Sequence, residues 1–402
     1  MATPVHEDEF AQPEDKSQGE QTITVRADVQ DIPVDSYHPK RWQSNITILS
    51  CYIANFSDGF QNTLANPTNV IFKKLLGSHG YSSDMKTRIS NSLIVGAILG
   101  IVVIGYTSDM FSRRGGLLFT SSLVAIGTLM STLALQIHPS QNMLWYFVVV
   151  RGIAGFGVGG EYPPSAAAGL EESDNRRSLR LYLLLARRYW WRIFTTSLAF
   201  FLYDFINFPN NIMSSTIISS LVKDNDIRKT AIWQVILAIL PVPGVMLGAW
   251  LTNSIGRRYT GMLGFAGYMV LGFIIGGTYT KLSQHVAAFV VLYGLLQAFG
   301  HMGPGATIGL ISSEVFPTAV RGMGYGIATA FGRTGAAVGT ECFTPLQDRA
   351  GNSSTFYLAG GVAIVGIFAY WLLPESSEID LEKEDRALEE FLAEKGYRID
   401  KR

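Results

Sequence analysis

Ten stretches of the chain are apolar enough to cross a bilayer as helices: near 46–72, 89–109, 115–136, 142–170, 193–221, 231–252, 259–279, 285–314, 320–341 and 354–373. Several exceed the roughly 20 residues a bilayer needs, which predicts tilt or extension beyond the hydrocarbon. Three polar landmarks recur along these spans. Asp58 in Ser-Asp-Gly-Phe answers Asp204 in Tyr-Asp-Phe-Ile; Asp109 with Arg113 and Arg114 answers Asn253 with Arg257 and Arg258; Glu171, closing one Gly-rich helix, answers Glu314, closing another. The offsets are about 146, 144 and 143 residues, and a shared offset at three places predicts a duplicated bundle with its halves related by an axis along the membrane normal. Only about 20 residues separate Glu172 from the next span. The first half therefore holds four helices and the second six, as if a fifth and sixth helix had been removed from an original twelve.

Composition agrees with an all-α membrane protein: 48% of residues are hydrophobic, 16% charged, and 41 are glycine. The formal net charge of zero hides segregation. Acids crowd residues 7–35, while Arg176, Arg177, Arg180, Arg187, Arg188 and Arg192 crowd one loop. That basic loop, with Arg113-Arg114, Arg257-Arg258 and Arg321, falls at alternate turns on one side, which marks the cytosol and places both termini there. The expected organisation is a disordered cytosolic tail (1–44), a four-helix half-bundle (45–171), a basic cytosolic linker (172–192), a six-helix half-bundle (193–373) and a cytosolic C-terminal tail (374–402). The short apolar run Leu181 to Ala186, bracketed by arginines, reads as interfacial, and residues after Pro374 read as a short solvated amphipathic helix or a regulatory signal. Cys51 and Cys342 support neither a disulfide framework nor a metal site. No Gly-Lys-Ser/Thr phosphate loop is present. No enzyme activity, cofactor, metal or nucleic-acid partner is expected.

The residues at the landmarks resemble those of the major facilitator superfamily. Gly105-Tyr-Thr-Ser-Asp109-Met-Phe-Ser-Arg113-Arg114 is similar to its loop signature Gly-x-x-x-Asp-x-x-Gly-Arg-Arg, with Ser112 in the second glycine's place, and Ala249 to Arg258 is the second-half copy. Arg151-Gly-Ile-Ala-Gly155-Phe-Gly157-Val-Gly159 resembles the fourth-helix motif. Asp109, Arg113, Arg114, Arg151, Asn253, Arg257 and Arg258 are accordingly expected to act as gate and packing residues without touching substrate. Gly159-Gly160-Glu161-Tyr162-Pro163-Pro164-Ser165-Ala166 resembles the Gly-Gly-Asp-Tyr-Pro-Leu-Ser-Ala motif of the phosphate:proton symporters in that superfamily. Gly303-Pro304-Gly305, Ser313-Glu314-Val-Phe316-Pro317 and Phe331-Gly332-Arg333-Thr-Gly335 extend the match. Inorganic-phosphate carriers usually have Lys at 333, Asn at 305 and an acid at 61, where this chain has Arg333, Gly305 and Gln61. Gly-Gly-Glu-Tyr-Pro with Gly-Leu-Ile-Ser-Ser-Glu (309–314) is more similar to the fungal glycerophosphodiester permeases, importers of glycerophosphoinositol and glycerophosphocholine.

The resemblance implies a proton-coupled glycerophosphodiester transporter of the plasma membrane, working by alternating access with a small phosphorylated organic anion and protons as its partners. Arg333 would grip the phosphate through its planar fork, with Tyr162, Asp204 and Asn207 around the substrate and the small Gly305 leaving room for an organic group. Charges inside a membrane are expensive, so Asp58, Glu161, Asp204, Arg151 and Arg333 are the functional candidates. Asp58 and Glu161 are assigned to proton coupling, against structural pairing with Arg151 or helix ends. His301 reads as a satisfied core histidine. The alternatives are an inorganic phosphate:proton symporter and, given the shortening, a non-transporting receptor or an inert truncated form.

Overall fold

Hydrocarbon cannot hydrogen-bond to a backbone, so a spanning chain satisfies its own amides as helix. In a computed structural model that describes residues 59–107, 113–167, 179–222, 226–317 and 320–395, every described residue in regular structure is helical. A helical turn at 59–63 leads into α1 (Ala65–Gly80), followed by α2 (Ser83–Thr107), α3 (Arg113–Leu133) and α4 (Ser140–Ala167). A short α5 (Leu179–Arg188) connects these to α6 (Trp190–Leu221), α7 (Ile227–Ile239), α8 (Pro241–Ser254) and α9 (Arg257–Leu282). The chain continues through α10 (Val286–Gly300), a π-turn at His301–Gly305, α11 (Ala306–Glu314), α12 (Arg321–Ala350), α13 (Asn352–Leu372) and α14 (Leu381–Glu394).

Two predicted single spans are broken in ways their sequences explain. The span at 231–252 becomes α7 and α8, joined at Pro241, which has no N–H to continue the ladder. The span at 285–314 becomes α10 and α11 on either side of the π-turn, which contains Pro304 between Gly303 and Gly305. The first predicted span, 46–72, runs on to Gly80 with a kink at Gly77 (φ 66°), and its residues before 59 lie outside the described part.

Seven stretches among the described residues are both long and apolar enough to cross a membrane. Against the ten predicted, the remaining three are the helix at 59–80, α6 and α12. At 32 and 30 residues α6 and α12 have the length. They fall short in hydropathy because one face of each is polar: Asp204, Asn207, Asn210 and Asn211 on α6, Thr329 and Arg333 on α12. The spans differ equally in what surrounds them. Two-thirds of Ser83–Ile104 (67%) is buried by other helices, whereas only 22% of Leu118–Gln136 and 28% of Ile227–Ser254 are. Ile232, Val235, Ile239, Val242, Met246 and Trp250 form an exposed apolar stripe along α7 and α8.

Glycines decide which helices touch. Gly155 and Gly159 of α4 face Leu93 O and Ala97 O of α2 so closely that a Cβ on either would overlap the carbonyl, and Gly96 and Gly100 of α2 meet Gly152 O and Phe156 O of α4 in the same way. Gly157, on another side of α4, lies against Thr120 O of α3. In the second half Gly335 and Gly339 of α12 meet Phe201 O and Phe205 O of α6. These small-x-x-x-small pairs replace the hydrophobic driving force that lipid removes. Aromatic packing fills the second half, where Phe265, Tyr293, Phe289, Phe356 and Tyr370 are each no more than 1% exposed.

At one end of the bundle α5 and α14 dock together. Leu185 and Tyr189 pack with Leu388, Leu392, Phe316 and Val320, and Arg188 lies over the Phe391 ring at 4.2 Å. Arg192 forks onto Glu384 with bonds of 2.9 and 2.8 Å and also donates to Val315 O at 2.8 Å. The C-terminal helix thus has the amphipathic character expected, with its apolar face covered by protein and not by solvent. At the opposite end hydrogen bonds join the two halves: Asn91 Nδ2 to Glu341 Oε1 at 2.8 Å, Lys86 Nζ to Gln347 Oε1 at 3.2 Å, Ser215 Oγ to Asn66 O at 2.9 Å, and Ser83 with Asp348.

Gly155→Val should separate α2 from α4 and cost on the order of the 1–3 kcal/mol typical of overpacking, or more, since backbone cannot yield as a side chain does. Gly361→Ala, at a helical position with nothing within 4 Å, should be tolerated. Thermal unfolding of the two variants in detergent tests this: a lowered Tm is expected for Gly155→Val alone, and equal transitions would contradict it.

Candidate functional site

A cavity of about 420 Å³ opens between the halves, lined by the start of the first helix, α6, the π-turn and α12. On α6 the lining residues Phe200, Tyr203, Asp204, Asn207, Phe208 and Asn211 follow one another at helical spacing and so form one face. On α12 Tyr325, Thr329 and Arg333 do the same at intervals of four. Gly59, Asn62 and Thr63 enter from the first half, and His301 from the π-turn.

Arg333 and Asp204 are both 8% exposed. The Arg333 guanidinium sits 5.0 Å from the centre of the Phe208 ring, whose face favours a cation. Gly332 makes room for the acid, since a Cβ there would come within 2.9 Å of Asp204 Oδ2. Asn211 Nδ2 donates to Asn207 Oδ1 at 3.3 Å, which ties together two residues of the cavity lining. Gly305 is exposed beside Tyr203. A Cβ at 305 would meet the Tyr203 hydroxyl at 2.6 Å, so glycine there is what seats the Tyr203 phenol.

Three of the residues singled out from sequence, Arg333, Asp204 and Asn207, therefore come together, and Gly305 supports their wall. Glu161 does not join them. It faces α3, where Ser121 Oγ donates to Glu161 Oε1 at 2.8 Å. Arg151, 4% exposed, points within the first half: its guanidinium donates to Gln61 O at 3.4 Å and lies 5.8 Å from the Phe147 ring. Asp58 and Asp109 and the side chains of Tyr162, Arg113 and Arg114 lie outside the described residues. In the second-half copy of the loop signature, Arg257 pairs with Glu314 at 3.0 Å, and Glu375 accepts from the backbone N–H groups of Arg257 (3.0 Å) and Arg258 (3.1 Å). A carboxylate there caps the positive end of α9. Asn253, exposed, bonds only weakly back to Ala249 O at 3.4 Å.

His301 departs from the sequence reading: it lines the cavity, one helical turn beyond Gln297. Tyr203, Asn211, Tyr325 and Thr329 were also not singled out. Counting helical turns from Asp204 and Arg333 would have found them. Among the described residues no group of three or more His, Cys, Asp or Glu side chains is placed to hold a metal.

The arrangement, a helical bundle with a polar cavity between its two halves, is that of a membrane carrier. The chain matches the family described as Sugar (and other) transporter over residues 45–168 and 166–388, and it belongs to that family of major facilitator superfamily transporters, which are multi-pass membrane proteins and not enzymes. It is 65% identical to the MFS-type transporter lnaF of Aspergillus flavus over 446 residues, covering 91% of this chain and 90% of the relative. It is 32% identical to Glycerophosphoinositol transporter 1 of Saccharomyces cerevisiae over 438 residues, covering 89% and 84%. Among solved structures it is similar to the proton:xylose symporter XylE bound to 6-bromo-6-deoxy-D-glucose, at a TM-score of 0.61 and 16% identity, covering 83% of this chain and 98% of that one. Both alignments to the fungal relatives are longer than the 402 residues of this chain, so each relative carries residues that have no counterpart here.

Proposed function

We propose that the chain carries glycerophosphodiesters across the plasma membrane in symport with protons, by alternating access. The observation that carries this reading is Arg333. A buried guanidinium lining a cavity between two bundle halves can match two oxygens of a phosphodiester in a way a point charge does not. Asp204 and Asn207 stand beside it in the same cavity, and Tyr162 is assigned to the substrate by the motif alone. The cavity, at about 420 Å³, exceeds what a lone phosphate requires, which favours an organic phosphate over the inorganic ion. With the basic loops placed in the cytosol, both termini lie there too. The hydrogen bonds joining α1 and α2 to α6 and α12 then close the outer side, and the arrangement is the inward-facing stage of the cycle.

Arg333→Ala should weaken phosphodiester binding by at least about tenfold, because a charge-assisted hydrogen bond is worth about 1.5–3 kcal/mol. Arg333→Lys should keep part of it. Radiolabelled glycerophosphoinositol uptake in a strain lacking its own carriers, with surface expression measured alongside, tests both; unchanged affinity in Arg333→Ala would sink the assignment.

Asp58 and Glu161 are proposed to carry the proton. What supports Glu161 is a carboxylate within a spanning helix, engaged by the Ser121 hydroxyl on α3. Glu161→Gln retains the shape and removes the titrating group, so net accumulation at acidic external pH should be lost while binding persists. A protonophore should abolish accumulation by the unaltered chain. Uptake indifferent to both would make this a facilitative carrier.

A second reading, a receptor or an inert form, is favoured by one observation: the exposed apolar stripe on α7 and α8, in a chain shorter than its alignments. We infer that the residues present in the relatives and absent here are the fifth and sixth helices. Grafting the corresponding segment of the Aspergillus flavus relative after Glu171 should then raise both Tm and uptake rate. If the graft changes neither, the shortened chain is a complete carrier.

A further inference from the structure

Among the described residues, three ionisable side chains other than the tyrosines line the cavity: Arg333, Asp204 and His301. The first two are assigned to the substrate, and the imidazole has no role in that reading. His301 is half-buried, and neither of its ring nitrogens is hydrogen-bonded to a described residue.

Its direction is set by its neighbours along the chain. Met302 O lies against Gly248 of α8, and the Gly303 backbone lies against Gly264 of α9, each too closely for a Cβ on the facing glycine. With the π-turn seated on α8 and α9 through residues 302 and 303, residue 301 is left toward the cavity. The surroundings on the other sides carry little charge. Tyr268 of α9 stands behind Gly300, and α8 has no ionisable residue. Tyr293 of α10 gives its proton to Asn210 O at 2.6 Å, and Glu314 at the far end of α11 is paired with Arg257 at 3.0 Å. The groups in front of the imidazole are therefore those of the cavity: Asp204 and Tyr203 on α6, Arg333 and Tyr325 on α12, and the uncharged Asn62 and Thr63 of the first half.

With Arg333 protonated and Asp204 ionised, the charges of this lining sum to zero while the cavity is empty. A phosphodiester adds one negative charge, and uncompensated charge away from water is costly. One proton restores neutrality. An imidazole ordinarily titrates between about pH 5 and 8, whereas a carboxyl does so near pH 4.

We propose that His301 takes up a proton as a phosphodiester binds at Arg333, so that anion and proton enter the cavity together and leave it together. The proton comes from the water of the cavity and adds to the free lone pair of the ring. The inference rests on the phosphate reading of Arg333, and it adds a proton site within the substrate cavity to the carboxylates Asp58 and Glu161, of which Glu161 faces α3 instead. Linkage makes the relation reciprocal: the bound anion stabilises the imidazolium, and the imidazolium tightens the anion. An empty cavity with His301 protonated, or a loaded one with it neutral, carries a net charge, and disfavouring both is the condition that symport requires.

The test is equilibrium binding of glycerophosphoinositol to the purified full chain in nanodiscs at about pH 5.5 and about pH 7.5, on either side of the ordinary imidazole range. A phosphodiester keeps one charge between these values, unlike a phosphomonoester, whose second ionisation falls near pH 6, so a change in affinity belongs to the protein. The affinity of the unaltered chain should tighten about tenfold toward the lower pH, a coupling of ordinary size. Binding should also take up protons, read from the difference in heat between two buffers of unlike ionisation enthalpy. His301→Gln should bind with an affinity that is flat with pH and without proton uptake. His301→Arg, whose charge does not titrate, should be equally flat, and it keeps the test open if the Gln variant fails to fold. An affinity of the unaltered chain that does not change with pH overturns the proposal without any variant. So does a pH dependence that survives in His301→Gln and disappears in Asp204→Asn or Glu161→Gln, which puts the proton on that carboxylate. If glycerophosphoinositol and glycerol 3-phosphate both fail to bind at either pH, the phosphate reading falls, and this inference with it.

Discussion

Hydrocarbon offers no hydrogen bond to anything dissolved in it, and the placement of nearly every polar side chain in this bundle follows from that. A soluble protein can leave an asparagine on its surface at little cost; here an asparagine at membrane depth must turn inward or find a partner. α6 and α12 show the consequence most clearly. Each is more polar than the other spans, and each is stable because its polar faces meet across a shared cavity while the glycines of α12 bring the two backbones together. The same constraint that defines the fold therefore collects Asp204, Asn207 and Arg333 into one place.

Close packing without a hydrophobic driving force is the second requirement, and it explains why motif and architecture coincide. The Gly155-Phe-Gly157-Val-Gly159 run serves two neighbours at once: Gly155 and Gly159 lie on α2, and Gly157 lies on α3. A helix with a side chain at any of these positions could approach only one of them. The second half achieves comparable rigidity by a different route, with Phe265, Phe289, Tyr293, Phe356 and Tyr370 interlocked edge to face. A carrier that rocks its halves as units needs a seam that can part, and the seam here joins α12 to α2 and the first helix to α6 through polar bonds and the apolar contact of Ile94 with Ile212 and Ala336.

Much of this was legible in the residues. Charges set in apolar runs pointed to Arg333 and Asp204, and the repeat offsets pointed to matched halves. The helix breaks at Pro241 and at Gly303-Pro304-Gly305 are visible in sequence, yet where each helix then leads is not. His301 was read as a core residue because its helix is apolar, and it lines the cavity instead. Glu161 shows the converse limit. Its motif marks it as important, but a single sequence does not reveal which way α4 is rotated, and the glycines that bind α4 to α2 turn Glu161 toward Ser121 on α3. The docking of α14 on α5 depends on contacts between segments some 200 residues apart, such as Arg192 with Glu384, and no local pattern announces them.

The repeat also says where a fifth helix belongs. In the second half α12 packs against α6 and reaches across to α2. The duplication maps α6 onto the first helix, α2 onto α7 and α8, and α12 onto the fifth helix that we infer to be absent. That helix would have to pack against α1 and reach across to α7, where a space of about 420 Å³ lies between Asn66 and Ile71 of one and Ile227, Gln234 and Val235 of the other. Ile71, Ile227 and Val235 are exposed and apolar, as a seat for another helix would be. Asp204, Asn207 and Arg333 belong to α6 and α12, so the loss of a helix from the first half leaves their own walls of the substrate cavity in place.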